Sequence, residues 1–371
     1  MKLDTAGLVP TSYDPEDIIF LLKDLSDATI EAPVEEREQA FRKGSHYSES
    51  LPVEYRPTAA YTELYHQALA ASAEEIARLT GVLARRIRRY AATDEVVLVS
   101  LARAGSPVGI LLKRYAKQAM GLDWPHFSVS ILRGKGIDAE ALQTVRELYP
   151  ESHIQFVDGW TGKGAIQQEL SRSVGELNAD FQLDLNDDLA VLSDPGACST
   201  LFGTREDFLI PNACLNATVS GLVSRTVLNT RLIRPGEFHG AKYYADLETE
   251  DVSNDFIDRI SSEFNGQEPA IEASLKGRSV LDPRTWQGME EAESIAKRHY
   301  LSADISKVKP SVGETTRVLL RRQPYKVLVQ DSGHEAVQHI LYLCREKEVP
   351  VEEVPDLFYR AIGLIEAEDR R

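Results

Sequence analysis

Cysteine is scarce in this chain: only Cys198, Cys214 and Cys344 occur in 371 residues. Three thiols make no disulfide framework, and none falls in a C-x-x-C spacing. A disulfide scaffold and a zinc ribbon are both excluded, and free cytosolic thiols are expected. No run of about 18 apolar residues occurs, which excludes a transmembrane helix. The opening MKLDTAGLVPTSYDPED lacks the apolar core of a signal peptide. A cytoplasmic chain with no membrane partner is the expectation. Positive charge is also in deficit: 42 Lys and Arg stand against 58 Asp and Glu, a formal net charge of −16. A polybasic nucleic-acid protein is excluded, although a local basic patch on an acidic body is not. No internal repeat or low-complexity tract is visible.

What is present is globular. Hydrophobic residues make up 43% and charged residues 27%, which rules out disorder as the dominant state. The length suggests two domains, with an added arm. Residues 1–57 look irregular, with one short helix opened by Asp14-Pro15-Glu16-Asp17 and continued by IIFLLKDL. Leu79, Leu83, Ile87 and Tyr90 have helical spacing within a helix expected over about 58–91. Strand, loop and helix then alternate. Strands are expected at Val96–Leu101, Phe127–Leu132, Ile154–Val157 and Leu189–Leu192. This pattern predicts an α/β domain with a mostly parallel sheet and helices on both faces. Farther on, CLNATVSGLVSRTVL and Pro283–Tyr300 read as helices. After Gly313 the order is helix, strand, helix, strand, and a last helix over DLFYRAIGLI, which predicts a small second α/β domain.

In a parallel sheet the loops at the strand C-termini gather on one edge, where ligands bind. Here Arg103-Ala104-Gly105 follows the first strand. Arg133-Gly134-Lys135-Gly136 follows the second. Asp158-Gly159-Trp160-Thr161-Gly162-Lys163-Gly164 follows the third and opens a helix. Glycines let a backbone approach a phosphate, and a helix N-terminus offers N–H groups and a positive dipole end. Lys163 would add a point charge, and Asp158 is suited to ribose hydroxyls or a hydrated Mg²⁺. The spacing is neither a Walker A loop nor the G-x-G-x-x-G fingerprint. Three such loops in succession predict one polyanion site. His46, Tyr47, Ser48 and Glu49 share a loop that suits a hood, with His46 and Glu49 capable of acid/base work. Cys198 or Cys214 can be drawn with His239 and Asp194 or Asp246 as a Cys–His–Asp set, but no nucleophile signature surrounds either thiol. Arg317, Arg321, Arg322 and Lys326 give the tail a basic edge suited to RNA phosphates.

LARAGSPVG resembles the pyrophosphate loop of type I phosphoribosyltransferases, and FVDGWTGKGA resembles their 5′-phosphate loop. The usual pair of adjacent acids is here Asp158-Gly159, and Lys163 stands where a small residue is common. Nearly the whole chain is similar to a narrower bacterial family. The carriers are SYDPEDIIFLLKDL, HYSESLPVE, LARAGSPVG, RGKGID, FVDGWTGKGAI, GTREDFLIPNACLNATVSGLVSRTVL, GETTRVLLRRQPYKVLV and VPVEEVPDLFYRAIGLI. That family joins a phosphoribosyltransferase-like domain to a C-terminal Pelota-like RNA-binding domain of L7Ae type. It accompanies tellurium-resistance stress operons and also carries the label cysteine protease StiP.

The resemblance implies an N-terminal hood over 1–57, a phosphoribosyltransferase-like domain over 58–275 and a Pelota-like domain over 276–371. It implies a Mg²⁺-dependent phosphoribosyltransferase that uses phosphoribosyl pyrophosphate and an unknown base-like acceptor to make a nucleotide-like metabolite. The catalytic set would be Asp158, Arg103, Arg133, Lys135, His46 and Glu49, with Asp158 holding the metal. Ala104, Gly105, Gly159, Thr161, Gly162, Lys163 and Gly164 would bind the donor, and Tyr47, Asp194 and Cys198 the acceptor. Arg317, Arg321, Arg322 and Lys326 would bind RNA, and a homodimer is expected. The alternatives are a non-catalytic nucleotide or RNA sensor and a cysteine hydrolase.

Overall fold

The computed structural model describes residues 3–33, 36, 37, 39, 44, 46–322, 324–367 and 370. The four expected apolar runs form strands, and two strands that were not expected, Ile19–Phe20 and Leu201–Thr204, complete the sheet. In chain order the strands are β1 (Ile19–Phe20), β2 (Val96–Leu101), β3 (His126–Val129), β4 (His153–Trp160), β5 (Ala190–Ser193) and β6 (Leu201–Thr204), in the sheet order β1-β3-β2-β4-β5-β6. Every neighbouring pair is parallel. Successive side chains of β2 serve opposite faces, as a strand's period of two requires. Val96 and Leu98 join a core with α1 (Ala59–Ala91), α2 (Ser106–Tyr115), α5 (Ser253–Ser261) and α6 (Glu268–Leu275). Val97, Val99 and Leu101 join the opposite core with α3 (Ala139–Leu148) and α4 (Ala165–Phe181). The expected helix over 58–91 is therefore present.

The chain leaves β2 toward β3, then crosses back to β4 on the other side of β2. That reversal places the loops after β2 and β4 side by side at a switch point, where open parallel sheets bind ligands. The approach is tight: a Cβ on Gly105 would lie 2.5 Å from the Val157 carbonyl oxygen.

The smaller domain holds α7 (Gln287–His299), β7 (Val308–Pro310), α8 (Val312–Arg321), β8 (Pro324–Val329), α9 (Gln338–Glu346), β9 (Val351–Glu353) and β10 (Ala361–Ile365). Its sheet order is β7-β10-β8-β9, with β10 antiparallel to both neighbours and β8 parallel to β9. It docks over the switch-point edge of the larger sheet. The buried Asp207 carboxylate accepts hydrogen bonds from the backbone N–H groups of Val312 (2.8 Å) and Arg360 (3.0 Å). The Tyr359 hydroxyl donates to the Gly162 carbonyl at 3.1 Å. No helix among the described residues is long and apolar enough to cross a membrane.

Three expected helices are absent. Asp14–Asp17 forms only a turn, and IIFLL continues as extended chain paired with β3. An unbroken apolar run suits a parallel strand buried on both faces as well as it suits a helix. CLNATVSGLVSRTVL makes short 3₁₀ turns and isolated bridges instead of a helix. Its Val, Thr, Ser and Asn residues are weak helix formers, and Gly221 has φ +73°. The last run, DLFYRAIGLI, becomes β10, whose five residues are all buried. β7 was not foreseen at all.

Candidate functional site between the two domains

Between the two domains lies a cavity of about 1140 Å³. A side chamber of about 200 Å³ continues it against the Thr161–Gly164 loop. Nine basic side chains line the large cavity: Arg37, Arg56, Arg103, Arg133, Arg225, Lys309, Arg317, Arg321 and Arg322. Three carboxylates, Glu54, Asp158 and Glu314, face them.

Of the first two loops, Arg103, Ala104 and Arg133 line the cavity, whereas Gly105 and Lys135 do not. The Ala102–Arg103 peptide is cis. Arg103 donates to the Val223 carbonyl at 2.9 Å and lies 3.4 Å from the Glu54 carboxylate. Ala104 joins the wall, whereas Gly105 packs behind it against β4. After β3, Ile131–Leu132 folds back on Gly136–Ile137 and pushes Arg133 outward as a hairpin tip. The Arg133 N–H donates to the Tyr47 hydroxyl at 2.7 Å, and that of Gly134 to Glu169 at 2.7 Å. Arg133 and Tyr47 line the cavity. Lys135 is exposed and forms no part of the wall. His46 and Glu49 bond to each other's segment in a capping box and also lie off the wall, so their expected acid/base role finds no geometry.

The third loop differs more. β4 runs to Trp160, so Asp158 and Gly159 lie in the strand rather than beyond it. Asp158 faces both cavities, and burial pushes its carboxyl up to about 7. Thr161 donates to Asp194 at 2.7 Å, and Asp194 also accepts from the N–H groups of Cys198 and Ser199. Asp194 and Cys198 are fully buried behind the loop. They hold its shape and touch no cavity, which corrects their expected role as acceptor contacts. Lys163 borders the side chamber, but its ammonium donates to the carbonyls of Ile305 and Val308 (2.9 Å to Val308). Burial, with Lys309 and Arg133 nearby, lowers it to about 7. It clasps the smaller domain where a phosphate contact was expected.

Arg317, Arg321 and Arg322, expected as a basic RNA-binding edge, face the cavity. Arg317 lies over the Trp160 ring and Arg321 over Tyr55, each at 5.8 Å. Arg321 also donates to the Leu215 carbonyl at 2.8 Å. Lys326 is elsewhere, paired with Glu352 at 2.8 Å.

Sequence reasoning missed Arg225, Lys309, Glu54 and Asn212. The signal for Arg225 was one cation inside the otherwise uncharged GLVSRTVL. Its side chain is exposed to the cavity, with the guanidinium 5.9 Å from the Tyr47 ring centroid. Desolvation inside the cleft, then Arg103 and Arg37, lower it to about 10. Among the described residues Arg133, Arg225, Lys309 and Arg322 make no side-chain hydrogen bond or ion pair with the protein, although all four line the cavity. Oδ1 of Asn212 and Oε1 of Glu54 are buried acceptors without a donor in the same wall. Among the described residues no three His, Cys, Asp or Glu side chains gather as a metal-binding set. Asp158 would therefore hold Mg²⁺ only together with ligand phosphates, a mode common for that ion.

The cysteines are all buried, and burial pushes each thiol up to about 12. The Cys–His–Asp set is not brought together. His239 shares a hydrogen bond with Ser130 Oγ (2.8 Å), and its backbone N–H donates to Asp138. Cys198 instead lies beside Asp194 and the Gly164 turn.

A family model described as the tellurite-like stress resistance cysteine protease StiP matches residues 11–261. One described as the PELOTA RNA binding domain matches residues 286–367. The cysteine protease StiP of Acinetobacter baylyi (strain ATCC 33305 / BD413 / ADP1) is 35% identical over 369 residues, covering 96% of this chain and 94% of its own. A crystal structure of a hypothetical protein from Neisseria gonorrhoeae with bound ppGpp matches at 19% identity, over 36% of this chain and 80% of its own. Its TM-score of 0.24 is too slight to carry fold or ligand across. These names correct the expected enzyme class: family and relative are both called cysteine protease, not phosphoribosyltransferase.

Proposed function

The chain belongs to the StiP family of tellurite-like stress-resistance proteins, and from that premise we propose that it binds a phosphorylated, nucleotide-like ligand in the cleft between its domains. The carrying observation is the set of four cavity cations without a protein acceptor, Arg133, Arg225, Lys309 and Arg322. Like charges held together cost free energy unless an anion answers them. Guanidinium groups suit phosphate oxygens, which they can grip two at a time. The orphaned acceptors of Asn212 and Glu54 call for donors on the same ligand, as ribose hydroxyls or base amines supply. Trp160 and Tyr55 offer flat apolar surface for a base. The likeness to type I phosphoribosyltransferase loops supports phosphate binding alone, with no transfer step. A Mg²⁺ bound to the ligand phosphates beside Asp158 belongs to the same proposal.

The test is calorimetric titration of ADP and GDP, with and without Mg²⁺, into wild type and Arg225→Ala. Micromolar binding, about −8 kcal/mol, that weakens roughly tenfold or more in the variant is expected. No saturable binding of either nucleotide to the wild type would sink the proposal.

A cysteine hydrolase is the second reading, favoured by the family name and by the position of Cys198 behind the glycine loop. A nucleophilic cysteine needs thiolate character and access, and a thiol at about 12 without a histidine partner lacks both. Native protein should therefore resist a soluble disulfide reagent at all three cysteines, which a colorimetric thiol assay measures. Rapid labelling of Cys198, together with peptidase activity lost in Cys198→Ser, would reverse the order of the two readings.

A further inference from the structure

The basic helix of the RNA-binding domain faces inward. Arg317 and Arg321 of α8, with Arg322 just past its end, share one cavity with Arg133, Arg225 and Asp158 of the larger domain. Residues four apart on a helix lie on one face, and here that face looks at the switch-point edge of the sheet. An RNA held by these arginines thus has to enter the cleft rather than run past it.

We propose that the ligand of the cleft is the phosphorylated end of a single-stranded RNA, gripped by both domains at once. This rests on the nucleotide reading above and names its source. Room for more than one nucleotide is present, because about 1140 Å³ exceeds the ~300–1,000 Å³ of ordinary small-molecule pockets. The side chamber of about 200 Å³ against Thr161–Gly164 is sized for a phosphate-bearing group. The terminal phosphate sits there and at Arg133, and the next phosphodiester meets α8. Trp160, Tyr55 and Tyr47 each lie near a guanidinium, at 5.8, 5.8 and 5.9 Å. Such pairs accept splayed bases, which single strands present and duplexes hide. The unpartnered Asn212 Oδ1 is placed for a donor of the 2′-hydroxyl kind, the group that separates RNA from DNA.

The experiment is calorimetry on the full chain at one fixed salt concentration. The probes are hexauridylate with a 5′-phosphate, with a 3′-phosphate and with neither, its 5′-phosphorylated deoxy counterpart, and UMP. One phosphorylated hexamer is expected to bind at least roughly tenfold more tightly than UMP, its unphosphorylated form and the DNA. Arg225→Ala, on the larger domain, and Arg322→Ala, on the smaller, should each weaken it several-fold at unchanged melting temperature. If UMP matches the hexamers, the inference falls while the nucleotide reading stands. If hexamer binding ignores the end phosphate, the sugar or Arg225→Ala, the RNA lies outside the cleft and the inference also falls. If no probe binds, both fall.

Discussion

Among the described residues Arg225 makes no ion pair with a carboxylate, and its contact is the Tyr47 ring. Its neighbours in the cleft are Arg103, Arg37 and Arg317, all of its own sign. Arg225→Ala should therefore leave the melting temperature unchanged or raise it, while nucleotide affinity falls by roughly tenfold or more, the scale of one charged hydrogen bond. Thermal melts and calorimetry on one preparation check both halves. Asp158 gives a pH signature. Burial lifts its folded value to about 7, whereas the unfolded chain titrates near ~4. Between those values folding takes up a proton, so this group lowers stability as pH rises through the window, and its penalty is complete above about 7. Asp158→Asn removes that penalty. The variant should melt roughly 2–4 °C above wild type near pH ~8 and level with it near pH ~4. A gain of equal size at both pH values would show that the carboxyl titrates normally.

Among the elements, the turn that joins β4 to α4 is tightly constrained. Gly164 has φ +87°, and a Cβ there would lie 2.6 Å from the Trp286 ring and 3.1 Å from Cys198. Gly164→Ala should cost about 1–3 kcal/mol from the backbone conformation and the clash together, read in a denaturant titration. This turn was legible from its glycines. Four of the six strands of the larger sheet were legible too, because four continuous apolar runs recur between helical patterns, whereas β6 was not foreseen. DLFYRAIGLI was not. Five buried residues in a row carry no period, and only pairing with β7 and β8 makes them a strand. The same ambiguity hid β1 inside IIFLLKDL.

At the scale of the whole molecule, the cleft exists only while the domains stay docked. Asp207 is central to that contact, since its buried carboxylate satisfies two N–H groups of the smaller domain. Asp207→Ala leaves both without an acceptor, at about 1–3 kcal/mol each. Limited proteolysis between α6 and α7 should become faster, and nucleotide affinity should drop although the larger sheet stays folded. Unchanged cleavage would mean that the other contacts, Lys163 and Tyr359 among them, suffice. The sequence by itself determined the alternating α/β pattern, the three loops on one sheet edge and the basic run of the tail, because each is written in local periodicity and residue type. Only the tertiary structure decided that the tail's arginines turn inward, that Lys163 serves the domain contact, that Cys198 is sealed behind the glycine loop, and that Arg225 completes the cleft. Those outcomes depend on which surfaces meet across long sequence separations, and local pattern does not encode that meeting.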